Sequence, residues 1–169
     1  MNFATDRRES DATTRREENA ALSAYVEEFG LAMERRGLPR AAGRLFGWLL
    51  VCDPPEQSPA DLMEVLHSST GGVSQSLRLL MQFQLVERVG RLGSRRAYYR
   101  IAPGAWETTM AGQVAETARF RELGQRGLAL LADTSEASRD RLVEMTDFYA
   151  FLEREMPEMI QRYRAEKAG

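Results

Sequence analysis

The chain has few of the residue types from which common active sites are built. Among its 169 residues there is one cysteine, Cys52, one histidine, His67, and one lysine, Lys167. A single cysteine cannot form an intramolecular disulfide, and one cysteine with one histidine cannot supply a Cys/His zinc cluster. The sequence also lacks a glycine-rich phosphate loop and the pattern of a catalytic triad. We therefore predict a protein that is not an enzyme and that needs no metal and no cofactor.

Long apolar runs are also missing. No stretch approaches the roughly 18 apolar residues that suggest a membrane span. The first 21 residues mix arginines with acidic residues and contain no apolar core of a signal peptide. We expect a cytoplasmic protein without a membrane partner, in which residues 1–17 form a disordered, solvated tail.

What the chain does have is an uneven distribution of charge. The formal net charge is -2, yet residues 67–101 contain six arginines and one glutamate, a net of +5, which leaves -7 for the remainder. Five of these arginines lie in "RVGRLGSRRAYYR", residues 88–100, around a Gly-Ser turn. Basic charge confined to one segment of an acidic chain is typical of a localised footprint for a polyanion.

Hydrophobic periodicity predicts helices over the first part of the chain. One helix is expected to end at Gly37, and a second follows Pro39, with Ala42, Gly43 and Gly47 as small residues that allow close helix packing. A third, short helix is predicted from Ser58 to His67. Its start has a capping signature, because Ser58 precedes Pro59 and stands three residues before Asp61.

A polar turn, "SSTGG", leads from this short helix into another. Ser69 or Thr70 can cap the new helix, and four apolar side chains are expected to face inward: Val73, Leu77, Leu80 and Met81. The period then changes to that of β-strands. The runs "LVERV" and "AYYRIA" flank the turn at Gly93-Ser94, which predicts a β-hairpin.

The remainder of the chain is predicted to be helical. A long helix leads from Trp106 to Leu131, a second begins near Ser135, and Pro157 is expected to break it before a short terminal helix. The fold class is therefore mainly α with a small β-hairpin, a winged helix-turn-helix flanked by N- and C-terminal dimerisation helices. The predicted regions are a disordered tail (1–17), an N-terminal helix (18–37), a winged helix-turn-helix domain (38–102) and a C-terminal helical dimerisation region (103–169).

Two short helices joined by a tight turn can place the second helix in the DNA major groove, and a hairpin directly after them is typical of the winged variant. Side chains on the outer face of that helix must then be small or able to hydrogen-bond to bases, and arginines at a hairpin tip suit phosphates or the minor groove. The candidate DNA-binding residues are Thr70, Gly72, Ser74, Gln75, Arg78, Arg91, Arg95, Arg96 and Tyr98.

Residues Gly37 to Arg100 resemble the GbsR-like branch of the MarR-type winged helix-turn-helix regulators, through "PRAAGRLFGWLLVCDP", "SPADL", "GGVSQSLRLL" and "GSRRAYYR". The resemblance implies a homodimer on double-stranded DNA, with terminal helices that mediate dimerisation. It also implies a response to small ligands such as choline in some members. We predict a sequence-specific transcriptional regulator, a repressor, on a pseudo-palindromic operator.

Several alternatives stay open on the sequence. A winged-helix module that binds protein instead of DNA would have the same element order. Trp48, Trp106 and Tyr149 are candidates for a small-molecule effector pocket, but an apolar stripe at helical spacing is more often core or dimer interface. Cys52 lies in an apolar helix without a neighbouring arginine in sequence, which favours a packed, inert thiol over a redox sensor.

Overall fold

A computed structural model of the chain describes residues 3–131 and 136–168. Within these ranges the chain forms six helices and one two-stranded antiparallel sheet. In chain order the elements are α1 (Phe3–Glu34), α2 (Arg40–Val51), α3 (Pro59–Leu66), α4 (Thr70–Gln82), β1 (Val86–Gly90), β2 (Ala97–Ile101), α5 (Ala105–Leu130) and α6 (Glu136–Ala168). They divide into two compact units, Met1–Pro103 and Gly104–Gly169. None of the helices within the described ranges is long and apolar enough to cross a membrane.

Helix α1 is longer than the sequence predicted. It begins at Phe3, inside the segment 1–17 that was expected to be a disordered tail. That segment contains alanine, arginine and glutamate, which all have good helix propensity, so nothing in its sequence stops the helix before Glu34. The expectation of a tail rested on hydrophilicity, which does not distinguish an exposed helix from a coil.

Glycines bring α1 and α2 together, as the sequence predicted. A Cβ atom added at Gly43 would lie 2.7 Å from the Cβ of Met33, and one added at Gly47 would lie 2.9 Å from the Cβ of Phe29. Neither position can accept a larger side chain without a shift of the helices. The ring of Phe29 meets the buried ring of Phe46 edge to face, which completes the contact.

The helix-turn-helix is formed by α3 and α4, and both starts are capped. The Ser58 backbone N–H donates to the carboxylate of Asp61 at 2.8 Å, while the Asp61 N–H donates to Ser58 Oγ at 3.3 Å, so the predicted capping box is present. Ser69 caps α4, since its Oγ accepts from the N–H of Gly72 at 3.2 Å. His67 ends α3 in a left-handed conformation, with φ at 48°.

The wing is the antiparallel pair β1–β2, in which Val86 faces Ile101 and Gly90 faces Ala97. Its other edge is also paired. The backbone N–H of Gln57 donates to the carbonyl of Tyr99 at 2.9 Å, and the Tyr99 N–H donates back to Gln57 at 2.8 Å. The wing is thereby joined to the loop that precedes α3, a connection that the sequence did not reveal.

In the second unit α5 and α6 pack against each other, and Gly124 lies against Thr146 while Gly127 lies against Leu142. The predicted break at Pro157 is wrong, because α6 is one helix from Glu136 to Ala168 with Pro157 inside it. A proline removes one backbone hydrogen bond and costs about 3 kcal/mol in a helix interior. Residues of α6 on both sides of Pro157 contact α5, as in the ion pairs Glu153–Arg121 and Arg164–Glu107, and these contacts oppose a break.

Candidate nucleic-acid interface

Helix α4 separates its apolar and polar side chains cleanly. Val73, Leu77 and Leu80 are each at most 2% exposed and pack into the first unit. Ser74, Gln75 and Arg78 are exposed on the other side of the helix. The helical phase predicted from the sequence is therefore the observed one, and it leaves three hydrogen-bonding side chains facing outward from a helix anchored by its core.

At the start of α4 one backbone N–H group is used by the N-cap of the helix. Thr70 is exposed, and its hydroxyl lies 3.5 Å from Met63 Sδ. Gly72 donates its backbone N–H to Ser69, so that group serves the helix cap. Gly71 has open space around it, since a Cβ added there meets nothing within 4 Å.

Two arginines of the wing are held in local ion pairs, Arg91 in the turn directly after β1 and Arg100 on β2. Arg91 Nε donates to Glu56 Oε2 at 2.7 Å, and its guanidinium carbon lies 4.2 Å from the centre of the Tyr98 ring. Arg100 Nε donates to Glu87 Oε1 at 2.7 Å, and its Nη1 lies 3.6 Å from Glu56 Oε1. The carboxylates of Glu56 and Glu87 thus balance the charges of these two guanidinium groups.

Two further arginines of this turn, at the tip of the wing, have no such partner. Arg95 and Arg96 are exposed, and neither side chain has an ion-pair partner among the residues whose side chains the structure describes. The turn is ordered by its own backbone, because the Arg96 N–H donates to Ser94 Oγ at 3.1 Å and the Ser94 N–H donates to the Arg91 carbonyl at 3.0 Å. Exposed guanidinium groups on an ordered turn suit phosphate contact.

Two ionisable groups in or near the wing, Arg91 and Asp61, have shifted pKa values. The hydrogen bond with Glu56 raises the pKa of Arg91 above its ordinary value. Hydrogen bonds with Ser58 lower the pKa of Asp61, and the positive charges of Arg96 and Arg91 lower it further. The Asp61 carboxylate, which caps α3, therefore lies within the positive field of the wing arginines, and it stays ionised at neutral pH.

The residues proposed for an effector pocket lie in separate places. Trp48 borders a cavity of about 470 Å³ in the first unit, together with Glu27, Arg44 and His67. Trp106 borders an apolar cavity of about 270 Å³ in the second unit. Tyr149 lines neither cavity and stacks on Phe120, with ring centres 5.0 Å apart.

Cys52 has the environment of a packed thiol. Burial raises its pKa above the ordinary value, and its Sγ lies 3.8 Å from the Leu49 carbonyl. A raised pKa keeps the thiol protonated and a poor nucleophile at neutral pH. These observations favour the inert thiol over a redox sensor.

Sequence reasoning missed Glu56 and Gln57. They lie in the loop after Pro55, where neither helical nor strand periodicity marks a residue as important. The structure brings Glu56 to two wing arginines and buries Gln57 against β2. The only sequence signal was the excess of arginines in the wing, where Glu87 is the single acidic residue, so that any further acidic partner had to come from another segment.

Comparison with known proteins decides the family. The HTH-type transcriptional regulator MmpR5 of Mycobacterium tuberculosis (strain ATCC 25618 / H37Rv) is 40% identical over 139 residues, which are 82% of this chain and 84% of that protein. A model of the MmpR5-like MarR family transcriptional regulators matches residues 104–166. The chain belongs to the MmpR5-like MarR family. The GbsR-like branch suggested by residues 37–100 is not confirmed.

Solved structures agree with this assignment. A crystal structure of a transcriptional regulator is 38% identical, with a TM-score of 0.75, over 86% of this chain and 99% of that chain. MepR, a transcription regulator of the Staphylococcus aureus multidrug efflux pump MepA, is 18% identical, with a TM-score of 0.40, over 83% of this chain and 97% of its own; this likeness is too distant to carry an argument. The protein is a DNA-binding transcriptional regulator with a MarR-type winged helix-turn-helix, which decides against an interaction module that does not bind DNA.

Proposed function

We propose that the protein is a homodimeric repressor that binds a pseudo-palindromic operator, with α4 in the major groove and the wing tip at the flanking backbone or minor groove. One observation carries the proposal. The outward face of α4 presents Ser74, Gln75 and Arg78, and the wing that follows it presents exposed arginines without an acidic partner among the described side chains, two of them, Arg95 and Arg96, at its tip. Hydrogen-bonding groups on a helix and unpaired positive charge on a wing are the two elements of sequence-specific binding.

Base readout is assigned to α4. Arg78 suits guanine, because its guanidinium can donate to O6 and N7 together, and Gln75 suits adenine in the same bidentate way. Ser74 can donate or accept and adds a contact without a strict base preference. Thr70 and Gly72, at the helix start, are proposed to lie against a phosphate and to set the depth of the helix.

Dimerisation is assigned to the second unit. Large apolar side chains are exposed along both of its helices: Trp106, Phe120, Leu123, Leu130, Val143, Phe148, Phe151, Met159 and Tyr163. A surface of this kind is typical of an obligate interface, and a second copy of the chain would cover it in a symmetric dimer. The two recognition helices would then meet half-sites about one helical turn, roughly 34–36 Å, apart.

Control by a small ligand is part of the proposal. The cavity beside Trp48 has a volume within the range of roughly 300–1,000 Å³ that ligand sites occupy. If the GbsR-like resemblance of residues 37–100 extends to the ligand, a quaternary ammonium compound such as choline would bind through a cation–π contact with Trp48. A dimer on an operator that overlaps a promoter excludes RNA polymerase, so repression, in the cytoplasm, is the simplest outcome.

The test is selection of bound duplexes from a random pool with the purified protein at moderate salt. We expect enrichment of a motif with two symmetric half-sites about ten base pairs apart, centre to centre. Recovery of a single, asymmetric half-site would contradict the homodimer. Recovery of no motif would contradict sequence-specific readout by α4. Transcription from a promoter that carries the selected motif then separates repression from activation.

A further inference from the structure

The carboxylate of Glu56 lies between two arginines of the wing. Its Oε2 accepts from Arg91 Nε at 2.7 Å, and its Oε1 lies 3.6 Å from Arg100 Nη1. The Glu56 side chain is 24% exposed, less than either arginine, which are both 41% exposed. Glu56 belongs to the loop before α3 and is separated from Arg91 by 35 positions, so the ion pair joins the wing to the body of the winged helix.

The backbone around Glu56 is fixed by its neighbour. Gln57 is 5% exposed and exchanges two backbone hydrogen bonds with Tyr99 of β2. Its side-chain amide donates to the Pro54 carbonyl at 2.6 Å, and its Oε1 accepts from Trp48 Nε1 at 3.4 Å. A carboxylate on a fixed backbone keeps its place at little entropic cost, unlike a carboxylate on a mobile loop.

Arg91 is held on two sides. Glu56 accepts its Nε–H, and the ring of Tyr98 lies under its guanidinium, whose carbon is 4.2 Å from the ring centre. A single exposed ion pair is weak. Here, however, Glu56 and Glu87 together with Arg91 and Arg100 form a balanced network of four charges. A DNA phosphate that approaches either guanidinium also meets the negative charge of the carboxylate that pairs with it, so its attraction to the arginine is weakened.

We propose that Glu56 is a positioning residue that withholds Arg91 and Arg100 from DNA, so that, of the three arginines in the turn of the wing, only Arg95 and Arg96 contact phosphates. The proposal rests on the DNA-binding role proposed for the wing. It revises the sequence prediction for Arg91 and Tyr98, which then support the wing instead of touching DNA. Because the charges of Arg91 and Arg100 are neutralised, binding depends on the position of Arg95 and Arg96 on the duplex, and this favours the correct register over non-specific backbone contact.

The experiment measures binding of the full chain to two duplexes, the selected motif and a scrambled sequence, over a range of salt concentrations. Glu56→Gln keeps the shape of the side chain and removes its charge. We expect tighter binding to the scrambled duplex, a salt dependence steeper by about 1 to 2 per protomer, and a lower ratio of specific to non-specific affinity. In Glu56→Gln the further change Arg91→Ala should reduce the extra salt dependence, whereas Arg91→Ala alone should leave the wild-type salt dependence unchanged.

Two variants act as controls. Glu28→Gln removes the same charge from an exposed position on α1 and should leave the ratio unchanged. Glu87→Gln releases Arg100 only and should have a smaller effect than Glu56→Gln. Equal salt dependence and an equal affinity ratio in Glu56→Gln and the wild type would overturn the proposal, as would weaker binding to both duplexes. Loss of motif preference in the wild type would instead contradict the proposed function.

Discussion

The two units of the chain differ in how many of their apolar side chains are buried and how many are exposed. Among the residues that the structure describes, twelve buried apolar residues lie in the first unit and only one, Ala105, lies in the second. The second unit is shorter, yet it exposes nine large apolar side chains against six in the first. The first unit carries its own core, whereas the second, taken alone, buries almost none of its apolar side chains fully.

This difference separates the work of the two units. The winged helix can turn polar and charged side chains outward because Leu77, Leu80 and their neighbours hold α4 from behind. In the α5–α6 pair Gly124 lies against Thr146 and Phe120 stacks on Tyr149, whereas other aromatic side chains, such as Phe148 and Phe151, stay exposed. We therefore assign DNA recognition to the first unit, which has its own core, and dimerisation to the second unit, which exposes its apolar side chains.

The largest effect is expected from the apolar face of α6. Phe148→Glu combined with Phe151→Glu places two charges where the second copy would pack, so the dimer should dissociate. Because the two half-sites are then bound independently, affinity for the full operator should fall by about 10²- to 10⁴-fold. Analytical ultracentrifugation and fluorescence anisotropy measure the two effects. Asp147→Asn, a change at the exposed polar residue that precedes Phe148, should cause neither effect, and a doubly substituted protein that stays dimeric contradicts the assignment.

A smaller effect is expected at the wing tip. Arg95→Ala combined with Arg96→Ala removes two phosphate contacts per protomer, which should weaken binding roughly tenfold or more and reduce the salt dependence by about 2 per protomer. Binding should weaken on the operator and on scrambled DNA alike. Arg119→Ala with Arg126→Ala removes the same charge from exposed positions of α5. An equal loss in that control would mean that total charge, and not the wing tip, governs affinity.

The seam of the second unit can be tested with two alanines in one helix. A Cβ at Gly124 would overlap Thr146, so Gly124→Ala should lower the free energy of unfolding by about 1–3 kcal/mol. Gly112 has open space, and Gly112→Ala should raise the free energy of unfolding by up to about 1 kcal/mol. Urea denaturation of both variants gives the comparison. Equal effects would show that the close contact of α5 with α6 does not limit stability.

The smallest effect concerns the cap of α3. Asp61→Ala removes the acceptor of the capping box and should cost about 0.5–1 kcal/mol of unfolding free energy at pH 7. The pKa of Asp61 is lowered in the folded protein, so its contribution is present above the unfolded pKa and disappears as the pH falls through the folded pKa. The stability of wild type and variant should therefore converge below about pH 4. A difference that stays constant down to pH 3 would contradict the ionised cap.

Most of the winged helix could be predicted from local signals. The Ser58 cap, the polar turn before α4 and the change of period at Leu85 each act over a few residues, and the structure has the elements where they indicate. The assignments to DNA contact were predicted from helix phase and charge, and they stay predictions. The structure shows which of these side chains face outward, and it places Arg91 against Glu56.

What could not be predicted depends on contacts between distant segments. Gln57 pairs with Tyr99 across 42 positions by backbone hydrogen bonds that any side chain would allow. Pro157 was expected to end a helix because local propensity disfavours it there, yet packing along α5 keeps α6 intact. The helical start of α1 was missed because hydrophilic composition fits a solvated helix as well as a coil.

The central claim is that α4 reads bases through its outward face. Its most direct test is selection from a random duplex pool, done in parallel with the wild type and Arg78→Ala. We predict one symmetric motif for the wild type and the same motif for the variant, with preference lost at one base pair in each half-site, a discrimination of about 1–3 kcal/mol. An unchanged motif in the variant, or a uniform loss at every position, would contradict base readout by Arg78.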